Sequence, residues 1–199
     1  MDSFMNLAKQ GMDAYQRSHS DVSKTGGQEY NAPHSSSAYD RPQFDDDEVV
    51  NTASREGSGD HSLFSSALSF VKQNKTEHEQ PIDEEDVQHA HRKAYEEGSA
   101  SSLSAGSIGS AAAMQVLKQF TSSGGSGSQS QLISLAMAEA SKLFDKSGGS
   151  SSGDKQDAVN GAAMTVMKLL VQSKFGGGAI GGSNSGGVGG LMSLASKFI

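Results

Sequence analysis

The chain has no cysteine and only three prolines among its 199 residues. Without cysteine it cannot form a disulfide, a thiol nucleophile or a thiolate metal site. This absence fits a reducing compartment, and we expect a cytoplasmic protein. Hydrophobic residues make up 34% of the chain, and the typical apolar share of about 45–50% is reached only when the 24 glycines, which add flexible backbone and no core, are counted as well. We therefore predict that the packed part is well short of the full length.

Long apolar runs are also missing. No stretch approaches the roughly 20 apolar residues that a membrane-spanning helix needs. The N-terminal stretch MDSFMNLAKQGMDAYQR is interrupted by charged residues and has no continuous apolar core, which argues against a secretory signal. The sequence therefore predicts a soluble chain.

The net charge of −7 is unevenly distributed. Acidic residues outnumber basic ones in residues 1–99, whereas the rest of the chain is mildly basic. Nucleic-acid binding requires clustered lysine and arginine to neutralise phosphates, so we expect no nucleic-acid partner. The mildly basic residues 100–199 are compatible with binding to an anionic membrane surface, but scattered lysines more often serve solubility.

Apolar residues recur at helical spacing after residue 60, and no period-two alternation is present. The pattern predicts an all-α bundle of five to six short helices over residues 61–199, joined by Gly/Ser-rich loops. Residues 1–16 are a possible short amphipathic helix, and residues 17–60 are interpreted as a disordered acidic linker. Asp83 is expected to cap one helix, which Gly98 closes.

Two short phrases recur along the predicted bundle. LFSSA, LISLA and LMSLA begin at residues 63, 132 and 191, while AAMQVLK and AAMTVMK begin at residues 112 and 162. This recurrence suggests an internally duplicated helix pair. The segment near residue 165 is apolar almost all round, which predicts the central helix, and the terminal phrase is expected to fold back across a glycine tether. The predicted interaction or packing face comprises Val159, Ala162, Ala163, Val166, Met167, Leu170, Leu191, Leu194 and Phe198.

Candidate chemistry is sparse in this sequence. His89 and His91 point about 200° apart on a helix, so they would not bind one metal ion together. The neighbouring acidic residues are interpreted as the start of a helix. The loop of residues 145–156 lacks the glycine and the final glutamate of a calcium loop. We therefore predict no catalytic residue, no metal site and no cofactor, and we expect no enzyme.

The phrases SLFSSALSFVKQNK, DEEDVQHAHRKAYEEG, LISLAMAEASKLFD, KQDAVNGAAMTVMKL and GGLMSLASKFI together resemble an uncharacterised filamentous-fungal family. Its members are often labelled "beta-flanking protein" and treated as a domain of unknown function. The resemblance covers roughly residues 61–199. It implies a fungal, cytosolic protein, and it carries no active-site residue over to this chain.

The leading hypothesis is a non-enzymatic helical protein that acts by contact with a protein partner or by self-association, in connection with stress or dormancy. One alternative is a peripheral membrane or lipid-binding protein that uses amphipathic helices. Methionine- and alanine-rich faces more often indicate helix–helix packing, so the membrane alternative ranks lower. A second alternative is an enzyme with an unrecognised site.

Overall fold

The computed structural model describes residue 42 and residues 44–124 and 127–175, without the side chains of residues 174 and 175. This part of the chain is an all-α bundle, as the periodicity predicted. Its six helices are α1 (Asp46–Glu56), α2 (His61–Gln73), α3 (Glu84–Tyr95), α4 (Ala105–Ser122), α5 (Gln129–Lys146) and α6 (Lys155–Phe175). Short 3₁₀ turns occupy Glu77–Glu79 and Ala100–Ser102. The one isolated β-bridge in the described ranges joins Ser104 to Ser152.

Helix α1 corrects one prediction. It lies within residues 17–60, which the sequence analysis interpreted as a disordered linker, so that interpretation is wrong for residues 46–56. Val49, Val50 and Ala53 are buried, and α1 packs on α5 and α2. The stripe of three apolar residues is short, so the helix depends on these tertiary contacts more than on its own amphipathic pattern.

Side-chain caps fix where the helices begin. In each case a carboxylate or hydroxyl oxygen accepts a hydrogen bond from the backbone N–H three residues later, which satisfies a donor that the helix leaves free. The caps are Asp45, Asp60, Asp83, Ser104, Ser128 and Asp154. The predicted cap at Asp83 is confirmed. At the other end of α3, Gly98 has φ of +64° and the Ser99 N–H donates to the Lys93 carbonyl at 2.9 Å, which confirms the predicted helix stop.

The three longest helices, α4, α5 and α6, all pack against one another at the centre. Helix α3 lies on α4, and α2 lies on α6 and α1. One contiguous hydrophobic core runs from Val49 in α1 to Leu170 in α6. The prediction that the helix near residue 165 is central is confirmed, since its apolar residues are buried on several sides.

The crossing of α4 and α6 is unusually close because glycine lies on both helices. A Cβ atom placed on Gly109 would contact the Ala158 carbonyl and lie 2.6 Å from the Ala162 nitrogen. A Cβ atom on Gly161 would lie 2.9 Å from the Gly106 carbonyl oxygen. Backbone meets backbone at this crossing, so side chains larger than hydrogen do not fit at Gly109 or Gly161.

All six helices belong to the unit Pro42–Ile199. The predicted helix over residues 1–16, the first part of the predicted linker and the terminal phrase lie outside the described residues. None of the helices within the described ranges is long and apolar enough to cross a membrane.

Candidate functional site

The predicted packing face falls into two groups. Val159, Ala162, Ala163, Val166, Met167 and Leu170 lie in α6 and are buried in the bundle. Leu191, Leu194 and Phe198 lie outside the described residues. The six buried residues contact other parts of the same unit, so an external partner would have to bind elsewhere on the described surface.

The two histidines of the H-x-H pair have different environments. His89 is exposed, whereas His91 is buried and its Nε2 lies 2.8 Å from the Gln115 Oε1 on α4. Burial is the main influence that lowers the pKa of His91; the hydrogen bond with Gln115 opposes it. The pair therefore does not converge on one point, as the helical spacing predicted, and His91 serves the α3–α4 interface.

Tyr95 lies one turn after His91, and their rings stack with centroids 5.1 Å apart. The Tyr95 hydroxyl donates to Glu139 Oε1 on α5 at 2.9 Å, and Glu139 Oε2 lies 3.4 Å from Lys142 Nζ. Burial is the largest influence that raises the pKa of Tyr95, and the charge of Glu139 adds to it. The phenol therefore stays neutral, and this chain of polar contacts joins α3 to α5.

A polar cleft of about 310 Å³ opens where α3 and α4 begin, beside α6. Its hydroxyl groups already bond within the protein: Ser104 and Ser107 lie 2.8 Å apart, and Ser110 and Thr165 lie 3.1 Å apart. The carboxylate of Asp83 caps α3. These groups serve helix caps and the α4–α6 contact.

The loop between α5 and α6, which the sequence analysis tested as a calcium loop, holds an ion pair. Lys155 Nζ lies 2.6 Å from Asp145 Oδ2 and 2.9 Å from the Ser58 carbonyl oxygen. Partial desolvation opposes ionisation of Asp145, but hydrogen bonds from Lys155 and Ser58 and the lysine charge lower its pKa overall. Among the described residues, no three His, Asp or Glu side chains are placed to hold a metal ion.

The side of α2 that faces away from the bundle carries a different kind of surface. A shallow depression of about 350 Å³ is lined by Ser65, Ser66, Ser69, Phe70 and Gln73, and we call these five residues the outer face of α2. Phe70 is 37% exposed, and it is an exposed large hydrophobic residue of the described part of the chain. The outer face contains no charged side chain, although the chain carries a net charge of −7.

Charged residues lie beyond both ends of this face. Asp60 caps the start of α2, and hydrogen bonds from the Leu63 N–H and then the Ser62 hydroxyl lower the pKa of its carboxyl group. At the other end, Lys72 pairs with Asp46 of α1, and Lys75 is exposed just beyond the helix. The face itself is therefore uncharged, and charges of both signs flank its end, where Glu77 and Glu79 follow Lys75.

Sequence reasoning identified the inner stripe of α2 but missed its outer face. Phe64, Ala67, Leu68 and Val71 are buried as predicted, whereas Leu63 is half-buried. Phe70 lies off this stripe, and an aromatic residue on the polar side of an amphipathic helix is the signal that would have marked it.

Residues 45–125 match a family described as Domain of unknown function (DUF7721). The match begins at the cap of α1 and ends after α4, so it includes α1, which the sequence analysis left outside the folded domain. It agrees with the expected similarity to an uncharacterised domain family. Neither the curated proteins nor the solved structures contain a match to this chain.

Proposed function

We propose that this chain is a non-enzymatic helical protein that acts by contact with another protein chain, and that the outer face of α2 makes the contact. The observation that carries the proposal is the exposure of Phe70 within an uncharged, serine-rich depression. The centres of protein interfaces are enriched in aromatic side chains and depleted of charge. The outer face of α2 shares the aromatic side chain and the lack of charge on a molecule with a net charge of −7.

The small side chains around Phe70 favour a partner that approaches closely. Ser66 and Ser69 are short and exposed, so a helix or strand could lie directly along α2 without displacing long side chains. Little side-chain entropy is lost when serine is covered, in contrast with lysine or glutamate. Binding energy at interfaces is concentrated in a few residues surrounded by energetically near-neutral contacts, and Phe70 among serines can act as such a residue.

The polar clusters support a non-enzymatic role. His91, Tyr95 and Asp145 each bond to a side chain of a neighbouring helix or loop. A catalytic site requires a nucleophile, a base and a stabilising group that meet around a substrate. His91, Tyr95 and Asp145 instead connect helices, and this use is typical of structural contacts.

Photo-crosslinking at position 70 tests the proposal. We expect that a benzophenone amino acid in place of Phe70 captures a protein partner, whereas the same group at exposed Gln119 on α4 does not. The captured protein, once purified, should bind the wild-type chain at least about tenfold more tightly than the Phe70→Ser variant, since loss of an anchor costs more than about 1 kcal/mol. Equal binding by both chains, or no protein adduct at position 70, would contradict the proposal.

Liposome flotation separates this role from the membrane alternative. If α2 acts on proteins, the wild-type chain and the Phe70→Ser variant should both stay unbound to anionic vesicles at low salt. Flotation of the wild-type chain that is lost in the Phe70→Ser variant would show that the outer face binds lipid and would replace the proposed protein partner.

A further inference from the structure

We infer that the polar cleft beside α3, α4 and α6 binds a small zwitterion, an aliphatic α-amino acid. The volume of the cleft, about 310 Å³, lies at the lower end of the range of about 300–1,000 Å³ that small-molecule sites occupy. The outer face of α2 contributes no residue to this cleft. Binding of an amino acid here would therefore be independent of the protein contact proposed for α2.

Opposite charges reach the cleft from different helices. Lys168 belongs to α6 and is half-buried, whereas Asp83 and Asp86 belong to the cap and the first turn of α3. Within the described part of the chain, none of these three side chains takes part in an ion pair. The half-buried ammonium group of Lys168 is partly desolvated, so a carboxylate from a ligand would stabilise it. The two aspartates would stabilise an ammonium group of the same ligand.

This combination of charges favours a zwitterion over a simple ion. A plain anion such as phosphate would be attracted by Lys168 and repelled by Asp83 and Asp86, and a plain cation would experience the reverse. The described residues also lack a group of three His, Asp or Glu side chains that could hold a metal ion. An α-amino acid carries both charges a few bonds apart, so each side of the cleft meets its opposite charge.

The hydroxyl groups in the cleft can accept further hydrogen bonds. The Thr165 hydroxyl donates to the Gly161 carbonyl at 2.8 Å, and the Ser110 hydroxyl donates to the Gly106 carbonyl at 3.2 Å. Each hydroxyl group has one hydrogen and two lone pairs, so these side chains offer acceptors to a ligand once their hydrogens are used within the protein. An ammonium group, which has three donors and no acceptor, is complementary to such a lining.

Apolar residues in the lining indicate the class of side chain that the ligand carries. Ile82 is half-buried and Val87 is buried, and both line the cleft beside the acidic start of α3. A branched aliphatic group that covers them would be removed from water together with them. The lining residues include no aromatic side chain and no second basic one, so an aliphatic amino acid fits better than an aromatic or an acidic one.

NMR titration of the full chain with L-valine tests the site. Because the ligand is small and the cleft is open to solvent, we expect a dissociation constant on the order of 1 mM and shifts of the amide signals of Ser107 and Ser110. L-valinamide lacks the carboxylate and 2-hydroxy-3-methylbutanoate lacks the ammonium group, so each should bind at least about tenfold more weakly. Equal binding of L-valine and either analogue, or no shift at about fifty times the expected dissociation constant, would overturn the inference.

Two variants with matched controls assign the charges to residues. Lys168→Met should weaken the binding of L-valine at least about tenfold, whereas Lys146→Met, exposed on α5, should leave it unchanged. Asp86→Asn should weaken binding about threefold or more, whereas Glu85→Gln, on the adjacent residue of α3, should have little effect. Circular dichroism verifies that each variant keeps its helices. Binding that is unchanged in folded Lys168→Met or Asp86→Asn would show that L-valine does not occupy this cleft.

Discussion

The His91 imidazole lies in the α3–α4 interface, where it is acted on by Gln115 and Lys118 of α4, by Tyr95 of α3 and by Glu96 just after α3. Burial is the main influence that lowers its pKa. The folded chain therefore binds this proton less readily than the unfolded chain, in which histidine has a pKa of about 6.5. Neutral His91 therefore makes its full contribution to the free energy of unfolding above that pH. This contribution is lost as the pH falls through the pKa that His91 has in the folded chain.

We expect His91→Gln to weaken the fall in unfolding free energy between pH 7.5 and pH 5, as measured by urea denaturation. The variant His89→Gln is the matched control, because His89 is exposed on the same helix. It should keep the pH dependence of the wild type. Identical pH profiles for the wild type and His91→Gln would show that His91 does not report on this interface.

The hydrogen bond between Tyr95 and Glu139 joins α3 to α5 across 44 residues of sequence. Tyr95→Phe keeps the ring stacked on His91 and removes only the hydroxyl. Because the acceptor is a carboxylate in a half-buried site, we expect a loss of about 1–2 kcal/mol of unfolding free energy. Urea denaturation of Tyr95→Phe measures it, and an unchanged midpoint would mean that water replaces the hydroxyl at no cost.

At the scale of helices, the glycines of α4 allow a direct comparison within one element. Gly109→Ala forces a methyl group into the backbone of α6, so we expect the free energy of unfolding to fall by at least about 2 kcal/mol. Gly106→Ala meets nothing within 4 Å and should be neutral or stabilise the helix by up to about 1 kcal/mol. Thermal denaturation of the two variants checks this, and equal effects would contradict the close crossing.

The helices could be predicted from sequence to different degrees. The boundaries of α3 were predictable because Asp83 and Gly98 act locally, through one side-chain hydrogen bond and one positive φ angle. Helix α1 was not predictable in the same way. Its apolar residues are few and lie among acids, so its stability comes from packing on α5, which a local pattern does not contain.

The candidate site could be predicted less well than the fold. The sequence shows which residues are apolar, but it does not show which of them remain exposed once six helices have packed. The face chosen on α6 is buried in the interior, whereas Phe70 remains at the surface because α2 contacts α6 and α1 through its other side. Exposure is a property of the whole assembly of helices, and it becomes visible only in the folded chain.

At the scale of the whole molecule, polar contacts between distant segments accompany the single core. The Ser58 N–H, in the loop after α1, donates to Ser141 Oγ on α5 at 3.0 Å, and its carbonyl accepts from Lys155 at the start of α6. Buried Val49 belongs to the same core as Leu170. These contacts connect the first helix to the last, so α1 should unfold together with α6 and not as a separate unit.

Val49→Ala leaves a cavity at a fully buried position. We therefore expect it to lower the free energy of unfolding by about 2 kcal/mol, in α6 as well as in α1. Native-state hydrogen exchange followed by mass spectrometry should show the slowest amides of α6 exchanging faster, by the factor that this loss predicts. Asn51→Ala, exposed on α1, is the control and should leave α6 unchanged. Faster exchange confined to α1 would mean that α1 opens independently, and the described helices would then form a core of α2 to α6 with a detachable first helix.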